Sequence, residues 1–196
     1  MRRLTPVLLA ALAAPAIAQS ASTWQIDPAH SSIQFGVRHL MISTVRGKFP
    51  KFTATVTGDE KDPTAASVKA SIDASSIDTG EARRDEHLKS PDFFDVAKYP
   101  TITFKSTKIE LAGGHKFRLH GDLTMHGVTK PVVLDVEVTP EVKDQRGATR
   151  AGAHATTKVN RKDFGINWSK SIDGGGVVVG DDVDVTIDVE AVKKGD

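Results

Sequence analysis

The fold class that the sequence predicts is all-β: an antiparallel barrel of about eight strands with one or two short helices. Roughly eight to nine segments place apolar residues at every second position, which is the period of a strand with one buried face. Short turns separate these segments. The chain also lacks the long helical crossovers that join parallel strands.

Residues 117–138 show this pattern most clearly. Two runs of alternating apolar residues flank a turn predicted at 126–131, where Gly127 relaxes the steric limit on φ and Pro131 must begin a strand or lie at its edge. Each run has one apolar face, and two strands alone cannot bury both faces. The rest of the chain must therefore supply more sheet.

The chain before this pair begins with a short strand at 24–27 and a clearer strand at 33–37. Three adjacent apolar residues at 40–42 break the alternation and indicate a short helix or a lip. Residues 45–56 resume an extended pattern, and Pro50 in its middle requires an edge position or a bulge.

A strand at 68–72, a helix at 81–89 and a strand at 102–111 are expected next. The helix is predicted because its residues are highly charged and include no β-branched side chain. The alternation of the following strand slips near Ser106, which indicates a bulge. Gly113-Gly114 then predicts a hairpin turn.

Two strands are predicted beyond residue 138. The strand at 151–159 has an unusually small inner face, whereas the last strand, 183–189, alternates Val and Ile with charged residues. Residues 164–176 connect them along a path that the sequence does not define.

Curvature favours a barrel over a sandwich, although both suit strands of this kind. Pro50, Gly121 and the bulge at Ser106 are features that bend strands. A barrel of about eight strands can be filled by side chains or can hold one slender ligand. The small residues that leave room inside, and so predict a cavity, are Ala54, Ala70, Ala151, Ala153 and Ala155.

The amino terminus has the features of a secretory signal peptide. Arg2 and Arg3 precede an apolar run at 4–17, which is shorter than the ~20 residues that a membrane-spanning helix needs. Ala16-Ile17-Ala18 supplies a small-x-small cleavage pattern. We therefore expect residues 1–18 to be removed and 19–196 to form one domain; an uncleaved anchor is the alternative.

Composition limits the classes of function. Removing Arg2 and Arg3 from 26 Lys and Arg leaves 24 against 25 Asp and Glu, a net charge of −1 with neutral histidines. This balance gives no electrostatic basis for nucleic-acid binding. No later apolar run is long enough to span a bilayer, so we expect a soluble protein outside the cytoplasm, in the periplasm if the source is Gram-negative. The absence of cysteine excludes disulfides and thiolate ligands.

Several stretches along the whole predicted mature chain resemble the YceI-like family. They are residues 84–96, 99–100, 104–106, 121–130, 160–165 and 179–183. The resemblance implies an extended, lipocalin-like antiparallel barrel that holds a polyisoprenoid chain in an apolar tunnel, often as a periplasmic dimer. Asp182 and Val159 stand where the family favours Glu and Ile.

The ligand expected from this resemblance is a polyisoprenoid lipid, quinone-like or another prenyl lipid, with no cofactor and no metal. Burying its chain contributes about 25 cal/mol per Å² of apolar area. The residues predicted to contact it are Ile33, Phe35, Val37, Met41, Val68, Ile72, Phe94, Ile102, Phe104, Phe117, Leu119, Leu123, Met125, Val132, Leu134, Val136, Ala153, Trp168, Val183, Val185 and Ile187. Packing as a dry core is the alternative for each of them.

A mouth or lip is expected from Leu40, Met41, Ile42, Phe93, Phe94 and Trp168, although a covered loop or a dimer contact explains them equally well. The seven histidines include no His-x-x-x-His pair, so no metal site is predicted. The charged segment 83–87 is interpreted as a helix surface with local ion pairs, and a headgroup site is the alternative.

The leading hypothesis is an exported lipid-binding protein that sequesters or transports a polyisoprenoid lipid without catalysis. One alternative is an enzyme acting on an isoprenoid or fatty lipid, in which Asp92 and His87 would transfer protons inside the cavity. Another is a stress-related interaction module whose barrel is filled and whose outer surface or dimer face carries the function.

Overall fold

The computed structural model describes residues 22–59, 61–171 and 177–194, which are mainly β-strand. The strands are β1 (Ser22–Ile26), β2 (Ser32–His39), β3 (Ser43–Lys48), β4 (Phe52–Asp59), β5 (Asp62–Asp73), β6 (Thr101–Gly113), β7 (Lys116–Met125), β8 (Val128–Val138), β9 (Val142–Lys143), β10 (Thr149–Asn160) and β11 (Val179–Lys194). The α-helix of the described residues is α1 (Ala82–Lys89), and short 3₁₀ turns cover Pro28–His30, Ala74–Ser76 and Arg161–Phe164. The predicted signal peptide at 1–18 and residues 172–176 of the predicted connection lie outside the described residues.

Eight of these strands close an antiparallel barrel in the order β1, β4, β5, β6, β7, β8, β10 and β11, with β11 returning to β1. β10 and β11 pair in an unbroken register from Arg150–Val192 to Asn160–Asp182. The other edge of β11 is shared, because residues 179–188 pair with β2 and residues 191–194 pair with β1. The β2–β3 hairpin is thus attached to the side of the barrel.

The predicted helix is confirmed, and a side chain defines where it begins. The carboxylate of Glu81 accepts hydrogen bonds from the backbone N–H groups of Arg83 and Arg84. An acceptor at this position satisfies amides that the first turn of a helix leaves unpaired.

The predicted bulge and hairpin of β6 are also confirmed. Its register with β7 shifts between Ser106 and Lys108. Gly113 and Gly114 follow with φ of 102° and 57°, values that glycine adopts without steric cost.

Residues 45–56 do not form the single extended segment that was predicted. β3 ends at Lys48 and β4 begins at Phe52, with Pro50 in the break. Proline has no N–H to donate to a neighbouring strand, so the pairing stops there.

The predicted turn at 126–131 is shorter in the structure and consists of His126 and Gly127, both with positive φ. Pro131 lies inside β8, opposite Asp122 of β7. The strand tolerates it because β8 pairs with β10 only over residues 135–138, so no partner strand needs an N–H at residue 131.

Residues 40–42 form a β-turn, not a helix. The N–H of Ile42 donates to the carbonyl of His39 at 3.0 Å, while Leu40 and Met41 have φ of 51° and 59°. Two consecutive positive φ values are typical of a type I′ turn, which favours Asn and Gly. Each bulky residue in this region of φ costs about 1 kcal/mol.

The two ends of the barrel differ in packing. We call the end with the β4–β5 and β6–β7 turns the hairpin end, and the end with α1 and the β10–β11 connection the helix end. The separate β2–β3 hairpin has its turn near the helix end. The helix end holds a cluster of buried side chains, namely Phe52, Phe93, Ile102, Met125, Phe164 and Ile166. Burial of this cluster closes the helix end with apolar contacts.

Gly121 lies beside the bulge of β6, where the ring of Phe104 fills the space that a side chain would need. A Cβ at residue 121 would also stand 2.7 Å from the carbonyl oxygen of Lys105. Gly121→Ala is therefore expected to lower the free energy of unfolding by about 3 kcal/mol in urea denaturation. Gly147→Ala is the control, because its methyl meets no atom within 4 Å and only its φ of 83° is unfavourable; it should cost about 1 kcal/mol. Equal losses would contradict this packing.

Candidate functional site

The barrel encloses a cavity of about 550 Å³, within the range of about 300–1,000 Å³ usual for ligand sites. Its lining is almost entirely apolar and extends from Pro63 at the hairpin end to Ile166 at the helix end. We call this space the barrel cavity.

Small side chains keep the barrel cavity open. The five alanines from which a cavity was predicted all lie on its lining: Ala54, Ala70, Ala151, Ala153 and Ala155. Ala155 of β10 lies in register between Val136 of the neighbouring strand β8 and Ile187 of the neighbouring strand β11. A small side chain therefore lies between two larger ones. The interior is therefore not filled by the protein's own side chains.

All the residues predicted to contact a ligand lie on the lining except Met41 and Trp168. Met41 is 58 % exposed in the turn between β2 and β3. Trp168 packs its ring 5.2 Å from that of Phe93 and 5.1 Å from that of His87, centroid to centroid. Contact between the lining residues and a ligand stays a prediction.

The barrel cavity reaches the surface at the hairpin end, where the exposed residues Pro63 and Glu141 belong to its lining. At the helix end Phe93 is only 6 % exposed, and Phe94 packs edge-on against Phe49 with ring centroids 5.7 Å apart. Phe93 and Phe94 were predicted as part of a mouth. Their packing fits the alternative of a covered loop, because each aromatic ring is covered by another.

Two strands contribute lining residues that the sequence analysis missed. From β1 and β4 these are Trp24, Ile26, Phe52 and Val56; their neighbour Ala54 was predicted. The alternation at residues 52–56 was a usable signal. The break at Pro50 obscured where that strand begins.

The sequence analysis also missed Arg161, a lining residue that is 4 % exposed. Its acceptors are the carbonyls of Ile166 (2.7 Å), Trp168 (2.7 Å), Val179 (3.3 Å) and Gly180 (2.9 Å) and the carboxylate of Asp181 (3.0 Å). A guanidinium has five N–H donors, and five acceptors surround this one. Burial lowers the pKa of Arg161, and the charge of Asp181 opposes that shift.

The local sequence explains how Arg161 is placed. The side chain of Asn160 accepts from the N–H of Lys162 at 3.0 Å and so begins the 3₁₀ turn. Phe164 is 1 % exposed and anchors the turn, and Gly165 ends it with φ of 78°. The turn at 160–165 therefore places the guanidinium at the helix end of the barrel, among its acceptors.

Three ionisable residues occur on the described lining: Asp59, Glu141 and Arg161. The two acids lie near the hairpin end, where the cavity opens. The described lining near the opening therefore contributes two carboxylates, and the lining cation Arg161 lies at the other end with its donors used within the protein.

The pair named in the enzyme hypothesis forms outside this cavity. Nε2 of His87 lies 2.9 Å from Oδ2 of Asp92, with side chains 42 % and 54 % exposed, and neither residue belongs to the lining. The neighbouring charged segment 83–87 lies on helix α1. Two of its charged side chains bind the protein itself: Arg84 donates to the hydroxyl of Thr79 at 2.7 Å, and Asp85 accepts from the same hydroxyl.

A second charged cluster also lies away from the cavity lining and contains Asp27, His30 and Glu190. Arg150 donates to the carboxylates of Asp27 and Glu190, so both acids already have a cation. Hydrogen bonds from His30, from the Ala29 amide and from Arg150 lower the pKa of Asp27 to about 2. Asp27 in turn raises the pKa of His30.

A comparison of the sequence with models of protein families identifies a domain that covers most of the chain. The model of the YceI-like domain matches residues 24–191. The chain belongs to the YceI-like family. Among its described residues, no helix is long and apolar enough to cross a membrane.

Relatives of this YceI-like protein cover most of its length. A UPF0312 protein of Vibrio cholerae is 41 % identical over 167 residues, which are 84 % of this chain and 88 % of the relative. The crystal structure of Burkholderia cenocepacia BcnA matches with a TM-score of 0.74 at 25 % identity, covering 84 % of this chain and 98 % of that chain. A polyisoprenoid binding domain from Saccharophagus degradans matches with a TM-score of 0.66 over 86 % of this chain and 97 % of that one. At 15 % identity, this last match shows the fold alone.

Replacing Arg161 tests its part in the fold of this YceI-like protein. Arg161→Met removes the donor that four carbonyls and Oδ1 of Asp181 share, so the free energy of unfolding should fall by about 3–5 kcal/mol in urea denaturation. The matched control is Lys162→Met, which removes the other cation on Asp181 (2.8 Å) but from an exposed position. It should cost less than about 1 kcal/mol. Similar losses for both variants would contradict the interpretation of Arg161.

Proposed function

We propose that this YceI-like protein binds a long polyisoprenoid lipid, quinone-like or another prenyl lipid, in the barrel cavity and sequesters or carries it outside the cytoplasm. The observation that supports this most is a cavity that is apolar from one end of the barrel to the other. An apolar space of this length suits a hydrocarbon chain, because binding needs no polar contact along it.

The energetic basis of binding is burial. Covering apolar area contributes about 25 cal/mol per Å², so a ten-carbon piece of chain supplies several kcal/mol before the cost of ordering it. No covalent step is required. The fold shared with a polyisoprenoid binding domain from Saccharophagus degradans is consistent with this chemistry.

Charge at the opening favours a lipid with an uncharged headgroup. Asp59 and Glu141 belong to the lining there, and Arg161 has its donors occupied at the far end. A diphosphate headgroup would meet like charge with no cation of the lining to pair with.

Binding is favoured over catalysis because the His87–Asp92 pair lies outside the lining. Export is supported by Arg2, Arg3 and the apolar run at 4–17, and a periplasmic location follows for a Gram-negative source. A homodimer is a further prediction, based on the family resemblance.

The lipid content of the protein tests the proposal directly. Solvent extraction of natively purified protein, read by mass spectrometry beside the native mass of the complex, should yield about one prenyl lipid per barrel. Ala153→Leu should narrow the cavity and lower lipid content about tenfold without loss of stability. The same change at the exposed Ala65 should leave it unaltered. A barrel that is empty and also takes up no added quinone would overturn the proposal.

Competition between lipids of equal chain length tests the charge at the opening. A prenyl alcohol or quinone should bind about tenfold more tightly than the corresponding diphosphate at low salt. Glu141→Lys should reduce that difference, whereas Glu137→Lys, on an exposed residue outside the lining, should leave it unchanged. Tighter binding of the diphosphate to the unmodified protein would show that the opening does not select by charge.

A further inference from the structure

Two consecutive apolar residues, Met41 and Ile42, are exposed at the tip of the β2–β3 hairpin, which we define as residues 40–42. Met41 is 58 % and Ile42 is 80 % exposed. The other exposed large apolar residues in the described chain are not adjacent to one another in sequence, namely Leu111, Val133 and Val142. Isolated apolar residues are ordinary on a protein surface, whereas adjacent ones indicate a contact surface.

The backbone of the tip is strained to present these side chains. Leu40 and Met41 both have positive φ, in a turn where Asn and Gly would be favoured. Arg38 stabilises the turn by donating to the carbonyls of Met41 (2.8 Å) and Ile42 (3.2 Å). Positive φ at two bulky residues, combined with apolar exposure, points to a function of these side chains.

The hairpin itself carries a net positive charge. Residues 28–58 contain no Asp or Glu but four Lys and Arg, including Arg38 and Arg46 in the hairpin itself. Of the acids in the adjoining part of β11, Asp184 pairs with Lys158 at 3.4 Å and Asp181 pairs with Arg161, while the exposed Asp182 accepts a hydrogen bond from the side-chain amide of Asn160 at 3.3 Å. An apolar tip with cations at its base complements an anionic lipid surface.

The tip is also close in the fold to the helix end of the barrel cavity. Val37, two residues before the β2–β3 turn begins at His39, lines the cavity. The N–H of Leu40 donates to the carbonyl of Val178 at 2.9 Å, and the next residue, Val179, lines the cavity as well. A surface bound by the tip would therefore lie against the helix end of the cavity.

We propose that the tip of the β2–β3 hairpin docks the protein on a membrane surface that contains anionic lipids. Met41 and Ile42 enter the boundary between headgroups and acyl chains, and Arg38 and Arg46 lie among the headgroups. This docking goes beyond the proposed function and depends on the hairpin alone.

Co-sedimentation with vesicles tests the docking. Vesicles of equal parts phosphatidylglycerol and phosphatidylcholine should bind the purified protein, and high salt or vesicles of phosphatidylcholine alone should weaken binding at least about fivefold. Lipid content of the same samples is measured in parallel. An empty barrel that still docks contradicts the proposed function alone, and a loaded barrel that does not dock contradicts this inference alone.

The decisive variant combines Leu40→Asn, Met41→Gly and Ile42→Ser. It replaces a strained apolar turn by one that suits its φ values, so the midpoint of thermal unfolding should rise by about 3 °C. Vesicle binding should nevertheless fall at least about tenfold. Loss of binding in a more stable protein cannot be attributed to misfolding.

Two further variants test whether binding depends on the location of the apolar residues and on the positive charge of the hairpin. Leu111→Ser with Val142→Ser removes exposed apolar side chains away from the tip and should leave binding unchanged. Arg46→Gln should lower binding to the anionic vesicles about fivefold and binding to phosphatidylcholine little. All variants carry the same amino-terminal segment, so the differences between them report on the tip.

Three results would overturn the inference. They are the absence of vesicle binding by the unmodified protein, equal binding by the triple variant, and equal binding to charged and uncharged vesicles at all salt concentrations. A dimer in native mass spectra that the triple variant loses would identify the tip as a contact between two copies of the chain, and would also overturn it.

Discussion

Closure of the sheet between β10 and β11 is the constraint on which the rest of the structure depends. The ladder is unbroken from Arg150–Val192 to Asn160–Asp182, and only a closed sheet can enclose an apolar space without an exposed edge. An arginine fixes each end of β10. Arg150 joins it to Asp27, Asp144 and Glu190 near its start, and Arg161 holds the connection to β11 just after its end.

The closed wall and the buried arginine together allow an interior that is apolar and open. Alanines on the inner face reduce the volume of side chains, so the barrel cannot collapse onto itself as a dry core would. Arg161 contributes a charge to the same interior, but its acceptors are carbonyls and one carboxylate of its own connection. The charge therefore stabilises the end of the barrel and leaves the cavity suited to hydrocarbon.

The sequence was most informative for elements whose pattern depends only on residues next to one another in the chain. The alternation in β7, β8 and β11, the helix at 82–89 and the bulge at Ser106 follow from neighbours in the chain. The inner face of β4 was missed because the strand that begins at Phe52 was merged with β3, whereas β1 was predicted as a strand but its inner residues were not assigned to the cavity. Arg161 was missed because alternation selects apolar residues, and its role depends on acceptors five to twenty residues away.

The pairing of the first described strand with the last also has a consequence for folding. Trp24 of β1 lies opposite Lys193 of β11, so the barrel cannot close until nearly the whole chain has left the ribosome. Contacts between residues so distant in sequence make folding slow. We therefore expect the complete barrel to form only after β11 has been synthesised.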